Sequence, residues 1–382
     1  MILHPQHLGL LVLGTAACVG LGCDGSSDPP GGTGGGSTTS ASGGGSGDGG
    51  AGGTSSSSTS GTAGGSTTSS AGGAGGAGGA GGAGGSGLPN VEILYESIQG
   101  QIYSVTVDAT TIYAGGDDGL VAIPKAGGAA AVLDPTATIM GVAASATDVY
   151  FTHPIQTGGG EVRRVPKGGG APEVIRASIS SIPWSIAIDS ENVYFTEKPW
   201  AGAPGCLFRA PLAGGAPVAL DCDLCDPGSV AVANGFVYVA NFNCADGDLV
   251  RFPIGGGPKE TLAIDSPLGV AVNTNHVFWS HHIGPISWLP TGGGAPSTTP
   301  VEYNFAQGMA ADDTGLYVTH EGVSGATGRL VQIKPDGQVT LLSSGFALPE
   351  LGFVNIGLDA TSIYFAGTVD PLHGQILRTP KP

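Results

Sequence analysis

The chain has 382 residues, 71 of them glycine, and its 30 acidic and 13 basic side chains give a formal net charge of -17. Charged residues make up only 11% of it and the few Lys and Arg are scattered, which excludes nucleic acid as a partner because a polyanion needs concentrated cations. At 40% hydrophobic residues the chain has enough apolar material for a sizeable core.

The first element is an apolar run over residues 8–22, as long as a signal-peptide core and too short to span a bilayer. It ends in Leu21-Gly22-Cys23, which resembles a bacterial lipobox. The resemblance implies a signal peptide over residues 1–22 and acylation of Cys23. It also implies attachment through that lipid to a membrane of a bacterial cell envelope, in the outer membrane or periplasm. The sequence departs from the pattern in carrying Gly20 three residues before the cysteine and no Lys or Arg ahead of the apolar run; the first basic residue is Lys125. Cys18, after Thr15-Ala16-Ala17, is a second acylation candidate, and secretion after cleavage near Ala17 is the alternative. Each route takes the protein out of the cytoplasm. Residues 23–87 are almost wholly Gly, Ser, Thr and Ala and cannot bury a core, so they read as a disordered tether. A Gly-rich chain of that length spans about 40–50 Å.

From residue 88 onward a phrase recurs at about 40-residue intervals, the mark of a closed array such as a β-propeller. Its most regular part is a β-branched and aromatic run that reads as a strand. The copies are Ile112-Tyr113, Val149-Tyr150-Phe151-Thr152, Val193-Tyr194-Phe195-Thr196, Val237-Tyr238-Val239-Ala240, Val277-Phe278-Trp279-Ser280, Leu316-Tyr317-Val318-Thr319 and Ile363-Tyr364-Phe365-Ala366. An apolar strand precedes each. A third strand closes on Pro124, Pro166, Pro211, Pro253, Pro290 or Pro380, followed in several units by a Gly run suited to a tight hairpin. A short fourth strand follows, as in Glu173-Val174-Ile175, but the last unit stops at Pro382 without one. The orphan Val91-Glu92-Ile93-Leu94 supplies it. Seven four-stranded antiparallel blades, sealed by the N-terminal strand pairing into the last blade, account for residues 88–382 as one all-β domain, expected to be monomeric.

The phrase resembles YWTD-type and NHL-type propellers and, more loosely, virginiamycin B lyase and gluconolactonase-like propellers. Phe278-Trp279-Ser280-His281 comes nearest to a Tyr-Trp-Thr-Asp tetrad, and Arg164, Arg209, Arg251 and Arg378 match the basic position of the third strand.

Cys206, Cys222, Cys225 and Cys244 remain if Cys23 is acylated, and an even number in an exported domain points to disulfides. Cys206–Cys222 with Cys225–Cys244 is the preferred pairing; Cys206–Cys225 with Cys222–Cys244 stays open, as does a zinc site on the Cys-x-x-Cys.

The residue after each Tyr-Phe-Thr run is, in order, Gly116, His153, Glu197, Asn241, His281, His320 and Gly367. Repeat geometry sets these around one mouth of the central channel, with His282 and Glu321 adjacent. They are the ligand-binding candidates. The first reading is a binding or scaffolding module that uses this mouth and its loop face, needs no cofactor and recognises a protein, peptide or glycan. The alternative, implied by the lyase and lactonase resemblance, is an enzyme holding a divalent metal on His153, Glu197, His281 and His320. A structural role, tying blades together, is what the YWTD-type resemblance implies for the same position. Asp221, Asp223, Asp226, Asp246 and Asp248 form an acidic cluster that is either a Ca²⁺ site or a solvated loop. Asp108, Asp189, Asp312 and Asp359 read as Asx-type turn formers.

Overall fold

The computed structural model describes residues 90–98, 100–136, 138–155, 158–178, 180–199, 204–242, 247–321, 327–349, 356–370 and 373–382. Cys18, Cys23, the tether, Trp200, Cys244 and Asp246 lie outside the described residues.

Among the described residues the regular structure is β throughout, in seven antiparallel sheets arranged as a propeller. Blade 1 runs Ile102–Val107, Thr111–Gly116, Gly119–Pro124 and Ala131–Asp134; blade 2 runs Gly141–Ala144, Asp148–Ile155, Gly159–Pro166 and Glu173–Ser178. Blades 3 and 4 follow with Ser181–Ile188, Asn192–Pro199, Gly205–Pro211 and Val218–Leu224, then Pro227–Ala233, Phe236–Asn241, Asp248–Pro253 and Glu260–Ile264. Blade 5 is slighter, with Val270–Val272, His276–Trp279, Ser287–Pro290 and a two-residue outer strand, Ser297–Thr298. Blade 6 comprises Tyr303–Asp312, Gly315–Glu321, Gly328–Ile333 and Val339–Phe346. It gains a fifth strand, Ile283–Gly284, from blade 5. Blade 7 takes three strands from the C-terminal end, Gly357–Leu358, Ser362–Asp370 and His373–Pro380, and its outer strand is Glu92–Glu96. Glu92 pairs with Arg378 and Glu96 with Gln375.

The tyrosine of the recurrent run explains the blade spacing. Tyr113, Tyr150, Tyr194, Tyr238, Tyr317 and Tyr364 are all buried between neighbouring blades, and Phe278 takes the place in blade 5. Each such ring contributes about 1.5–3 kcal/mol through burial. The fourth residue of the run carries a hydroxyl in blades 2, 3, 5 and 6, for a different reason. Thr152 accepts the Gly141 amide of its own blade and donates to the Trp184 carbonyl of the next, at 2.8 and 3.0 Å. Thr196 does the same between Ser185 and Gly228, and Ser280 between Gly269 and Ala306. The Thr152, Thr196 and Ser280 hydroxyls thus each satisfy a buried amide and carbonyl from two adjacent sheets.

The two faces of the ring are built differently. Turns joining first to second and third to fourth strands share one, here called the turn face. Asp108 caps the Thr110 and Thr111 amides and accepts the Tyr113 hydroxyl; Asp189 and Asp359 repeat this with Tyr194 and Tyr364. The third-strand arginines reach across blades. Arg164, Arg209, Arg251 and Arg378 donate to the carbonyls of Leu212, Ile254, Thr291 and Lys125, each the residue after the closing proline of the next blade. Lysines reach the other way: Lys125 to Asp359, Lys167 to Asp108 and Lys381 to Asp312, at 2.5–2.7 Å. In the hairpin that follows Pro166, Gly169 and Gly170 hold φ of +86° and +139°, which a side chain would resist.

Burial alone would raise the Asp108, Asp312 and Asp359 carboxyls. Hydrogen bonds from the lysines, turn amides and hydroxyls outweigh it and hold all three below the usual carboxylate range. Tyr113, buried and donating to Asp108, is pushed up to about 12. A carboxyl depressed in the folded state stabilises the protein above its unfolded pKa of about 4, and that stabilisation is lost as the pH falls through the folded value. Asp108→Asn with Asp359→Asn should therefore flatten the fall in urea midpoint below about pH 4 while lowering the midpoint at pH 7. Parallel acid limbs in variant and parent would show that these carboxylates are not the source.

Candidate functional site

Loops joining second to third strands, and connections from each outer strand to the next blade, share the opposite face, here the loop face. The ring positions after the Tyr-Phe-Thr runs all lie at its strand ends. Their side chains do not meet at a common point. Glu197 and His281 are met by groups of the preceding blade, Asn241 and His320 by groups of their own.

Glu197 is 2% exposed. It is paired with Arg176, from the outer strand of blade 2, and accepts the Ser181 hydroxyl at 2.6 Å. The Arg176 guanidinium also lies 3.8 Å over the Phe208 ring. His281 places Nε2 3.1 Å from Asp265, which follows the outer strand of blade 4, and Nδ1 2.8 Å from the Pro285 carbonyl. Both of its nitrogens face acceptors, so the imidazolium, with two N–H donors, fits the site. Burial pulls the His281 pKa down, but the Asp265 and Pro285 hydrogen bonds prevail and raise it. Asp265 is lowered in turn: burial opposes, and the His281 and Trp279 hydrogen bonds outweigh it.

His320 is buried, donates Nδ1–H to the Glu321 carbonyl at 2.8 Å and meets the Tyr303 ring edge-on at 4.8 Å. Burial depresses its pKa, against the Glu321 hydrogen bond and with the Arg329 charge. His153 is likewise depressed by burial and by Arg163, and its Nδ1 is buried without a partner among the described residues. Arg163 itself ties Asp134, the buried end of blade 1, to Glu161. Asn241 donates to Asp248 at 2.6 Å. Gly116 has no room for a side chain, since a Cβ there would strike the Gln101 carbonyl. His282 lies between Phe242 and Phe305, with ring centroids 6.0 and 4.2 Å away, and Glu321 pairs in register with Asn304.

Among the described residues no three His, Cys, Asp or Glu side chains are grouped to hold a metal ion. The acidic cluster is likewise divided: Asp221 pairs with Lys259, Asp226 with Lys198, and Asp248 with Asn241. The His281–Asp265 dyad has no free ring nitrogen to offer a substrate. What the Glu197–Arg176 and His281–Asp265 pairs do chemically is join one blade to the next. Sequence reasoning did not find the partners Arg176, Asp265, Asp134 and Tyr303. For Arg176, Asp265 and Asp134 the one sequence signal is an ionisable residue at or near the end of a fourth strand, 16 to 29 residues from its mate; Tyr303 opens the first strand of its own blade.

Cys206 and Cys222 form a disulfide between the third and outer strands of blade 3. This is the pairing preferred from the sequence, and it lies across two neighbouring strands of one blade. Cys225 is also disulfide-bonded. At a sequence separation of 16, Cys206 and Cys222 close a loop worth ~3 kcal/mol in the chain-entropy account. Cys206→Ser should lower the unfolding free energy by about that amount in urea titrations, and a change below about 0.5 kcal/mol would assign the bond no stabilising role.

No protein-family model and no curated protein matches the sequence. Solved structures match the fold. A puromycin-hydrolysing peptidase from Mycobacterium tuberculosis aligns at a TM-score of 0.55 and 15% identity, over 73% of this chain and 51% of that one. The tricorn protease aligns at 0.52 and 10%, over 75% of this chain and 34% of that one. The nidogen/laminin complex aligns at 16% identity over 61% of this chain and 92% of that one, but its TM-score of 0.47 is too low to argue from. The chain thus spans a half and a third of the two peptidase structures, and the likeness is one of fold alone.

Proposed function

We propose that this protein is a binding or scaffolding module, exported and held to a membrane through a lipid on Cys23, which engages its partner through the loop face. The observation that carries this reading is where large apolar side chains remain exposed. Among the described residues, Val132, Val174, Val218, Val339 and Leu341 lie on outer strands, and Ile98, Ile155, Ile264, Ile283 and Val301 lie on the loop face. The turns of the opposite face have none. Exposed aliphatic residues gathered on variable loops over a rigid frame are what a contact surface requires. The propeller fold is consistent with such a role. An enzymatic reading gains no support from the ring position, because Glu197, Asn241, His281 and His320 are already engaged within the domain.

The test is a photo-crosslinking amino acid at Ile283 or Ile155, compared with Thr147 on the turn face, in cells making the full-length chain. A discrete adduct from the loop positions alone is expected. Equal adducts from Thr147, or none from the loop face, would overturn the reading. Incorporation of a fatty-acid probe, lost in Cys23→Ser, tests the anchor.

A further inference from the structure

Of the 13 basic side chains, Arg209, Lys334 and Arg329 are those without a carboxylate partner among the described residues. Arg209 is held by the Ile254 carbonyl and Lys334 by Gln338, both toward the turn face. Cations are spent inside the domain, and the excess of carboxylates is left outward. On the loop face of blades 4–6 this excess coincides with the exposed aliphatic residues. Ile264, 72% exposed, pairs in register with Asp248. Ile283, 60% exposed, and Glu321 flank Asn304 in one row of the sheet, and cross-strand neighbours project from the same side. Val301, 50% exposed, adjoins the exposed Glu302. Arg329, exposed nearby, pairs with His320 and so projects from the other side of that sheet from Glu321.

The support beneath this surface is firm. Ile283–Gly284 is fixed by pairing with Asn304 and Tyr303. The His282 ring is braced by Phe242 and Phe305, and the Phe305 amide donates to the His282 carbonyl at 2.9 Å. A surface already ordered loses little entropy when it is covered.

Resting on the reading of the loop face as the contact surface, we propose that blades 4–6 dock a basic, apolar polypeptide segment, one that interleaves Lys or Arg with aliphatic side chains. Three apolar positions each stand beside a carboxylate, so a segment alternating in this way can bury its aliphatic groups on Ile264, Ile283 and Val301 while its cations meet Asp248, Glu302 and Glu321. An anionic bilayer would be repelled by the same carboxylates.

The probe is a fluorescein-labelled peptide repeating Leu-Ser-Lys, titrated with full-length protein by anisotropy, against peptides repeating Leu-Ser-Glu and Ser-Ser-Lys. Binding of the first alone is expected. Ile283→Ser and Glu302→Lys should each weaken it by about tenfold or more, and Val174→Ser on an outer strand should leave it unchanged. Equal binding of Ser-Ser-Lys, indifference to Ile283→Ser, or no binding would overturn the proposal. Flotation with phosphatidylglycerol vesicles that depends on Ile283 would overturn it in favour of a lipid surface. If the peptide fails while crosslinks from Ile283 persist, the partner chemistry falls and the contact surface stands; if both fail, both fall.

Discussion

A chain that begins at residue 99 should unfold at a far lower urea concentration than one that begins at residue 88. The difference between the two is the outer strand of blade 7. Without it the His373–Pro380 strand becomes an open edge, and Arg378 loses Glu92. Val91 is buried, and Ile93, Leu94 and Tyr95 are partly buried against neighbouring core. At about 1.5–3 kcal/mol for a fully buried side chain, and about half that for a half-buried one, the loss is roughly 4–8 kcal/mol. A domain of this kind has about 5–15 kcal/mol in total. A rescue separates strand loss from general damage. Placing residues 90–98 after Pro382 through a Gly-Gly-Gly hairpin, like the one that follows Pro166, should restore the midpoint, because the moved strand re-enters antiparallel to its old partner. An unchanged midpoint in the truncated chain would show that the ring does not depend on this closure.

The second large effect is expected at Arg176. Its substitution by Met leaves the Glu197 carboxylate buried with only the Ser181 hydroxyl to satisfy it. An uncompensated buried charge costs about 3–5 kcal/mol, whereas replacing both members of a buried pair with neutral groups is often close to neutral. Arg176→Met should therefore cost about 3–5 kcal/mol, and adding Glu197→Gln should recover most of it. The double-mutant cycle in urea measures this coupling. Additive single effects, with no recovery in the double variant, would show that Arg176 stabilises through its stacking on Phe208 and not through the carboxylate.

Much of the architecture could be read before any coordinates. A buried aromatic, tyrosine in six blades and Phe278 in the fifth, recurs with a β-branched neighbour, so the second strands were legible, and the orphan Val91-Glu92-Ile93-Leu94 had one place to go. The pieces that escaped are those without an apolar pattern. Ser297–Thr298 is two polar residues long, and Ile283–Gly284 pairs with a different blade from its neighbours in sequence. The ring position was legible as a position but not as a role. Counting repeats gives its height on the strand, and a ring of strand ends suggests a shared mouth. Where Glu197 and His281 turn is set by residues at the outer edge of the preceding blade, Arg176 and Asp265. Those partners do not recur from unit to unit, so no periodicity could expose them.

The closing strand also determines how the molecule bears load. Asn90, two residues ahead of that strand, sits at the turn face, where the Thr379 hydroxyl donates to its carbonyl. The strand runs from there toward the loop face. A pull on the chain upstream of Asn90, opposed by a partner gripping the loop face, acts along the strand axis. The bonds between Glu92–Glu96 and His373–Pro380 are then strained in concert, as in a lap joint, and do not open one after another from an end. The seam that completes the propeller is thus aligned with, and not across, any force applied between Asn90 and the loop face.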